Sequence, residues 1–228
     1  MKPRDYHVVV FVLTILLPPA SVLLAQAPEG TRAIEQDWRV QLYSVSEPEE
    51  VTSPQFITGF KIPSVPALFQ TTWNHRDVPI VEEGGIQLQV YRWDHLLDEQ
   101  EILTPPWREK LSTKNEVVTW TQRLHIDQLD YVFTVKDIVG TTWGSIPGPY
   151  TVRRRFSVWA PPLEQYTFDE INRNSGIVVG TNRFRRLAIT ETRFFDQEGE
   201  LLLRDEEEKV LFSQPSSYSY FEFQRLGD

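Results

Sequence analysis

The chain contains no cysteine, and its single methionine is Met1. Disulfide bonds, thiolate metal sites and thiol nucleophiles are therefore excluded. Beyond Met1 there is no sulfur for the thiol and thioether oxidation ladder to act on, which suits an oxidising exterior. Cationic charge is also scarce: 23 Lys and Arg stand against 32 Asp and Glu, for a formal charge of −9. Nucleic acid and anionic lipid both need a cationic face, so neither is expected as a partner. The run Arg153-Arg154-Arg155 and the group Arg183, Arg185, Arg186 read as solvated strand faces or as partners for the many carboxylates. Helical periodicity is missing too. After the first segment no stretch keeps a 3.6-residue period for three turns, and no run is apolar enough to span a bilayer.

The one long apolar run is at the start. Lys2 and Arg4 precede a hydrophobic stretch that ends in Ala25-Gln26-Ala27, the layout of a secretory signal. Pro18-Pro19 interrupts the run, because proline removes a helix hydrogen bond and clashes with the preceding turn. Residues 1–27 are expected to be a cleaved signal peptide, with a retained N-terminal anchor as the alternative. Pro28 suits a cut after Ala27 poorly, and a cut after Ala25 is the second option. Loss of Lys2, Arg4 and Asp5 takes the formal charge to −10. An exported, periplasmic, envelope or extracellular location follows as the expectation. At about 200 residues a chain buries roughly 70 % of its unfolded surface and needs no covalent staple.

Period-two alternation dominates the remainder. Trp38, Val40 and Leu42 alternate with Arg39 and Gln41; Phe56 to Ile62 and Leu68 to Trp73 read as further strands. After Gly84-Gly85, which reads as a tight entry needing positive φ, Ile86, Leu88 and Val90 face one way. Gln87, Gln89 and Tyr91 face the other, the signature of a half-buried strand. Residues 116–136 read as a hairpin linked by Asp127-Gln128. Tyr150 to Trp159 reads as a strand near an edge, Val178 begins another after a turn, and Phe184 to Phe195 is a long one that turns into Leu201-Leu202-Leu203. Asp205 to Glu208 is a solvated acidic loop, Tyr218 to Phe223 a last strand, and Pro162 to Asn172 the only weak helical stretch. Prolines scattered through the connections mark strand ends. About ten strands with no repeat and no long linker predict an all-β protein: a single two-layer antiparallel β-sandwich over residues 36–228, of jelly-roll (concanavalin-like) type, behind a mobile lead-in at 28–35.

The segments EQDWRVQL, NHRDVPIVEEGGIQLQVYRWD, NEVVTWTQRL, TTWGSI and NSGIVVGTNRFRRLAITETRFF resemble, in that order, motifs of an uncharacterised exported β-rich family of planctomycete bacteria. The resemblance covers roughly residues 35–197; it implies export and a fold type and supplies no catalytic residue. A weaker likeness is to concanavalin-like jelly rolls, including laminin-G modules, lectins and polysaccharide-cleaving enzymes. It is a fold-level analogy, and fold does not assign function. The glycosidases of that group carry acids in a Glu-x-Asp-x-x-Glu pattern along one strand, and no plausible strand here has it.

Two aromatic-imidazole-carboxylate clusters stand out: Trp73-Asn74-His75-Arg76-Asp77 and Trp93-Asp94-His95. As a metal site they would draw on His75, Asp77, Asp94 and His95, with His125 as an outsider; but zinc wants three or four convergent ligands, and neighbouring strand residues point to opposite faces. No metal and no cofactor is expected. The chain has no Gly-x-Ser-x-Gly elbow, and Gly84-Gly85 precedes a strand where a phosphate loop needs a helix. No catalytic residue is assigned.

The seven tryptophans are the better lead. Trp38 and Trp120 are in phase with apolar neighbours and belong to the core. Trp73, Trp107, Trp143 and Trp159 lie at strand ends or beside Pro and Gly, where rings can face water. With Asn74, His75 and Arg76 they form the candidate ligand-binding set, suited to stacking on a sugar; capping of the sandwich ends is the competing reading. The expected function is a non-catalytic exported binding or structural module for a polysaccharide or an envelope protein. The alternative is a polysaccharide-active hydrolase or lyase.

Overall fold

The computed structural model describes residues 27–42, 56–62, 67–74, 85–92, 95–103, 110–111, 113–156, 160, 163–169 and 184–213. The expected signal segment up to residue 26, the strand start at Val178 and the last strand at 218–223 lie outside these residues.

Thirteen strands are described: β1 (Ala33–Leu42), β2 (Phe56–Ile62), β3 (Ala67–Asn74), β4 (Gly85–Arg92), β5 (His95–Leu103), β6 (Val117–Asp127), β7 (Asp130–Gly140), β8 (Gly144–Ile146), β9 (Tyr150–Arg154), β10 (Thr167–Asp169), β11 (Phe184–Phe195), β12 (Leu201–Asp205) and β13 (Lys209–Ser213). They form two antiparallel sheets in a sandwich-like arrangement. The larger runs β12-β11-β1-β6-β7-β8, with β13 in tandem with β12 along β11 and β9 in tandem with β8 along β7. The smaller runs β10-β2-β3-β4-β5.

Alternation decides which side chains meet between the sheets. From the larger sheet come Ile34, Trp38, Val40, Leu42, Val118, Trp120, Leu124, Phe133 and Leu187; from the smaller come Phe56, Phe60, Phe69, Trp73, Ile86, Leu88 and Val90, all in one apolar cluster. Its densest part is aromatic. Trp38 and Trp120 face each other across β1 and β6 and stack at 5.7 Å, while Trp73 lies 4.6 Å from Trp120 and stacks on Phe56 at 5.1 Å. Truncating any of these rings to alanine would cost about 3–5 kcal/mol. A polar side chain also crosses the middle of the interface. The buried Gln122 on β6 donates from Nε2 to Thr58 Oγ1 on β2 (2.5 Å) and to Thr71 Oγ1 on β3 (3.1 Å). Along one side the sheets also meet directly, where the Thr151 N–H of β9 donates to Gln100 Oε1 of β5 at 2.8 Å.

Four sequence expectations change. The lead-in expected at 28–35 is tied down: β1 already starts at Ala33, Thr31 is fully buried, its hydroxyl donates to the Pro28 carbonyl at 2.6 Å, and the Leu163 N–H donates to the Thr31 carbonyl at 2.9 Å. Strand β4 is buried on both faces, since Gln87 and Gln89 are as inaccessible as Ile86 and Leu88. The hairpin turns one residue later than expected, at Gln128-Leu129 between Asp127 and Asp130, with Gln128 at φ 56°. The weak helix reduces to a single 3₁₀ turn at Leu163–Gln165 followed by β10. Gly85 does carry the positive φ expected of it, 118°.

Candidate functional site

Of the candidate binding set, Trp73 is corrected first. It is 0 % exposed, so it cannot stack on a ligand. It is the last residue but one of β3, but its parity is that of Ala67 and Phe69, and that parity points inward whatever polar residues follow. The backbone of Asn74 pairs with Gly85; His75, Arg76, Trp107 and Trp159 lie outside the described residues, as do Asp77, Trp93 and Asp94. His95 opens β5 opposite Arg92 and is exposed. Among the described residues no three His, Asp or Glu side chains come together as a metal site would need.

Trp143 is different. After β7 the chain turns through Thr141, Thr142 and Trp143 and folds back as β8, with Gly140 opposite Gly144. Gly144 takes φ 73°, a conformation that glycine adopts without penalty. The turn is built around one carboxylate, that of Glu116, which is only 1 % exposed. Its Oε1 accepts the Thr142 N–H at 2.7 Å and the Trp143 N–H at 3.4 Å, and its Oε2 accepts the Thr142 hydroxyl at 2.5 Å. Burial pushes the Glu116 carboxyl up, but the hydrogen bonds from Thr142, Trp143 and Thr141 outweigh it and hold the group below its ordinary 4.5. It is ionised at neutral pH and serves as the anchor of the turn. The indole is fixed at its other end, where Nε1–H donates to Thr113 Oγ1 at 3.3 Å. A Cβ on Gly140 would stand 2.6 Å from Glu116 Oε1 and 2.8 Å from Trp143 Cγ, so only glycine leaves room for this packing. The result is a half-exposed ring, held in place and bordered by exposed Thr141, Thr142, Gly144 and Ser145. A preorganised aromatic face beside hydroxyls can stack on an apolar surface while offering polar contacts at its edge.

Two polar arrays are closed to solvent. On the smaller sheet, Gln70 Nε2 donates to Gln89 Oε1 and Thr72 Oγ1, each at 3.0 Å, and the Thr72 hydroxyl donates to Gln89 Oε1 at 2.6 Å. Gln70 Oε1 and Gln87 Nε2 are buried without a hydrogen-bond partner. Between the sheets, Gln36 lies opposite Gln122 and both amide oxygens are likewise unpartnered.

The solvent side of the larger sheet carries the strongest charge cluster. Glu35 accepts from Arg193 (2.9 Å), Lys136 (3.2 Å) and Arg123 (3.3 Å); Asp37 shares the same Arg193 Nη2 at 2.9 Å, and Glu191 pairs with Arg193 and Arg204. Burial raises the Glu35 carboxyl, while Lys136, Arg193 and Arg123 together bring it below its ordinary value. Three carboxylates converge on Arg193 here, and each meets a cation. A general acid for glycoside cleavage needs a carboxyl pushed upward, and Glu35 moves the opposite way. Nearby, burial first and Arg123 next hold the His125 imidazole below its ordinary range.

The buttressing of Trp143 by Glu116 was not legible in the sequence, because a glutamate before a strand carries no mark of burial. Its one available signal is the Thr141-Thr142-Trp143-Gly144 bend, which needs its amides satisfied from somewhere. Among the described residues no helix is long and apolar enough to cross a membrane. Comparison with protein-family models, with curated proteins and with solved structures finds no match to this chain.

Proposed function

We propose that this chain is a non-catalytic binding or structural module that works outside the cytoplasm, with the turn at Trp143 as its contact surface and an envelope polysaccharide as its ligand. The observation that carries this reading is the fixed, half-exposed Trp143 ring on the Glu116 anchor, in a chain whose Trp38, Trp73 and Trp120 are all in the core. A ring held at both ends loses little freedom when it stacks, which favours binding. The leader-like start at residues 1–27 supports export, and the two antiparallel sheets are compatible with a jelly-roll-related sandwich. The run of β2, β3, β4 and β5 as consecutive neighbours in one sheet is a meander, so the jelly-roll connectivity itself draws no support from it. The hydrolase reading is disfavoured by Glu35 and Asp37, whose charges are committed to Arg193.

The test is a fluorescence titration of the protein and of Trp143→Ala with a panel of bacterial and plant polysaccharides. Binding should shift the emission of the parent protein and weaken about tenfold or more in Trp143→Ala, the loss of one stacked aromatic. If no polysaccharide changes the emission, or if Trp143→Ala responds as the parent does, the proposal fails.

A further inference from the structure

The Trp143 ring has a second wall beside it. The Thr113 hydroxyl that accepts the indole N–H belongs to a turn between Lys110 and Glu116, and backbone hydrogen bonds fix that turn. The Thr113 N–H donates to the Lys110 carbonyl at 2.9 Å, and the Glu116 N–H to the Thr113 carbonyl at 3.4 Å. The Asn115 N–H donates at 3.2 Å to the carbonyl of Leu42, the last residue of β1, and the Leu42 N–H donates back to the Glu116 carbonyl at 2.8 Å. Asn115 holds φ 61°, a left-handed conformation in which asparagine is several-fold enriched. Lys114 and Asn115 are thus exposed at a fixed corner, next to the residue that holds the ring.

Charge is unevenly spread around this corner. The chain carries 32 acids against 23 Lys and Arg, yet no charged residue occurs from Ile138 to Val152, the stretch that supplies the Trp143 turn. The other wall brings Lys110 and Lys114. Among the described residues the one carboxylate built into the two walls is that of Glu116, which is buried beneath them and committed to Thr142 and Trp143. An indole face bordered by two lysines and no exposed carboxylate is the reverse of the chain's average surface. An acidic protein repels anions except where such a cationic spot admits them, and this directs a charged ligand to one place. We propose that the polysaccharide taken at Trp143 is an acidic one, a uronic-acid carboxylate meeting Lys114 and Lys110 while the adjoining sugar stacks on the indole. This ligand class rests on Trp143 being the contact surface and adds the charge that selects among polysaccharides. An ammonium suits a wet rim, since it meets a carboxylate as a point charge on a flexible stem and asks no fixed geometry of the sugar.

The test titrates the tryptophan emission of the full chain with polygalacturonate and with the same polymer after its carboxyls have been reduced to alcohols. The parent should bind the acidic form about fivefold more tightly, the scale of an exposed ion pair. In 1 M NaCl the difference should vanish, because charges are then screened beyond about 3 Å. Lys114→Gln should lose most of the preference while binding the reduced polymer as the parent does. Arg92→Gln, the same charge change at an exposed site on the smaller sheet, should keep it. Trp143→Ala should weaken both forms. Equal binding of the two forms by the parent, each still weakened by Trp143→Ala, overturns the acidic ligand and leaves the Trp143 site standing. If Lys114→Gln lowers both forms alike, the lysine only supports the turn, and the acidic ligand is again overturned. No response to either form removes the Trp143 site itself, and this ligand with it.

Discussion

Replacing Glu116 tests whether one buried carboxylate really holds the Trp143 turn. Its oxygens accept two short hydrogen bonds, from the N–H and the hydroxyl of Thr142, and one long one from the Trp143 N–H. A hydrogen bond to a charged group contributes about 1.5–3 kcal/mol, but the Thr142 side chain is exposed and water can replace part of what is lost. Glu116→Ala should therefore cost about 3 kcal/mol. Glu116→Gln keeps one carbonyl oxygen for the two amides and sets an NH2 where Oε2 accepted the Thr142 hydroxyl, which can turn to accept instead; with the charge assistance lost, it should cost about half as much. With a urea m-value of about 2 kcal/mol/M, the midpoints should fall by about 1.5 M and 0.7 M at pH 7.

The pH dependence makes the argument refutable. The folded protein holds the Glu116 carboxyl below its ordinary 4.5, so its stabilisation is fully present above that value and is lost as pH falls through the lower, folded one. Glutamine does not titrate. The stability gap between the parent and Glu116→Gln should thus be constant from pH 7 to about pH 5 and shrink below pH 4.5. A gap that persists unchanged under acid conditions, or a glutamine variant as stable as the parent at pH 7, would refute the reasoning.

Two further substitutions probe the frame. Gly59 lies in β2 opposite Gln70, where a Cβ would run into the Phe69 carbonyl oxygen and stand 2.8 Å from the Gln70 Cα; Gly59→Ala should destabilise by about 3 kcal/mol or more, seen as a fall in the urea midpoint. Gln128 turns the β6-β7 hairpin at φ 56°, a region that costs side-chain-bearing residues about 1 kcal/mol, so Gln128→Gly should raise the thermal midpoint by a few degrees, and a fall would show that the side chain matters more than the backbone.

What could be read from the residues was what depends on period alone. Trp38, Val40 and Leu42 announced β1, Ile86, Leu88 and Val90 announced β4, and Phe184 to Phe195 matched β11 end for end. The polar residues after Trp73 suggest a rim, while the alternation before it turns the ring inward, and the alternation decides. The short strands β8, β10 and β13 carry too few residues to show a period. Burial of Gln70, Gln87 and Gln89 was beyond reach for a physical reason. An amide facing away from an apolar row is expected in water, and only its cross-strand neighbours reveal that it is bonded sideways. Pairing at a distance, like that of Glu116 with the Trp143 turn, leaves no trace at the glutamate itself.

The place of β1 in the larger sheet has a consequence for the order in which the protein can form. It is the first strand described, yet its neighbours are β6 on one side and β11 on the other, and Ala33 waits for both His125 and Phe195. A chain emerging from its N-terminus makes the smaller sheet's meander early, from residues close together, whereas β1 is left without its second neighbour until nearly the whole sequence is available. Closing such distant loops is slow, because the entropy of bringing the ends together is lost before the contacts form. Until β11 arrives, the central strand of the larger sheet is itself an open edge. In this topology the final closure of the larger sheet is reserved for the last third of the chain to appear.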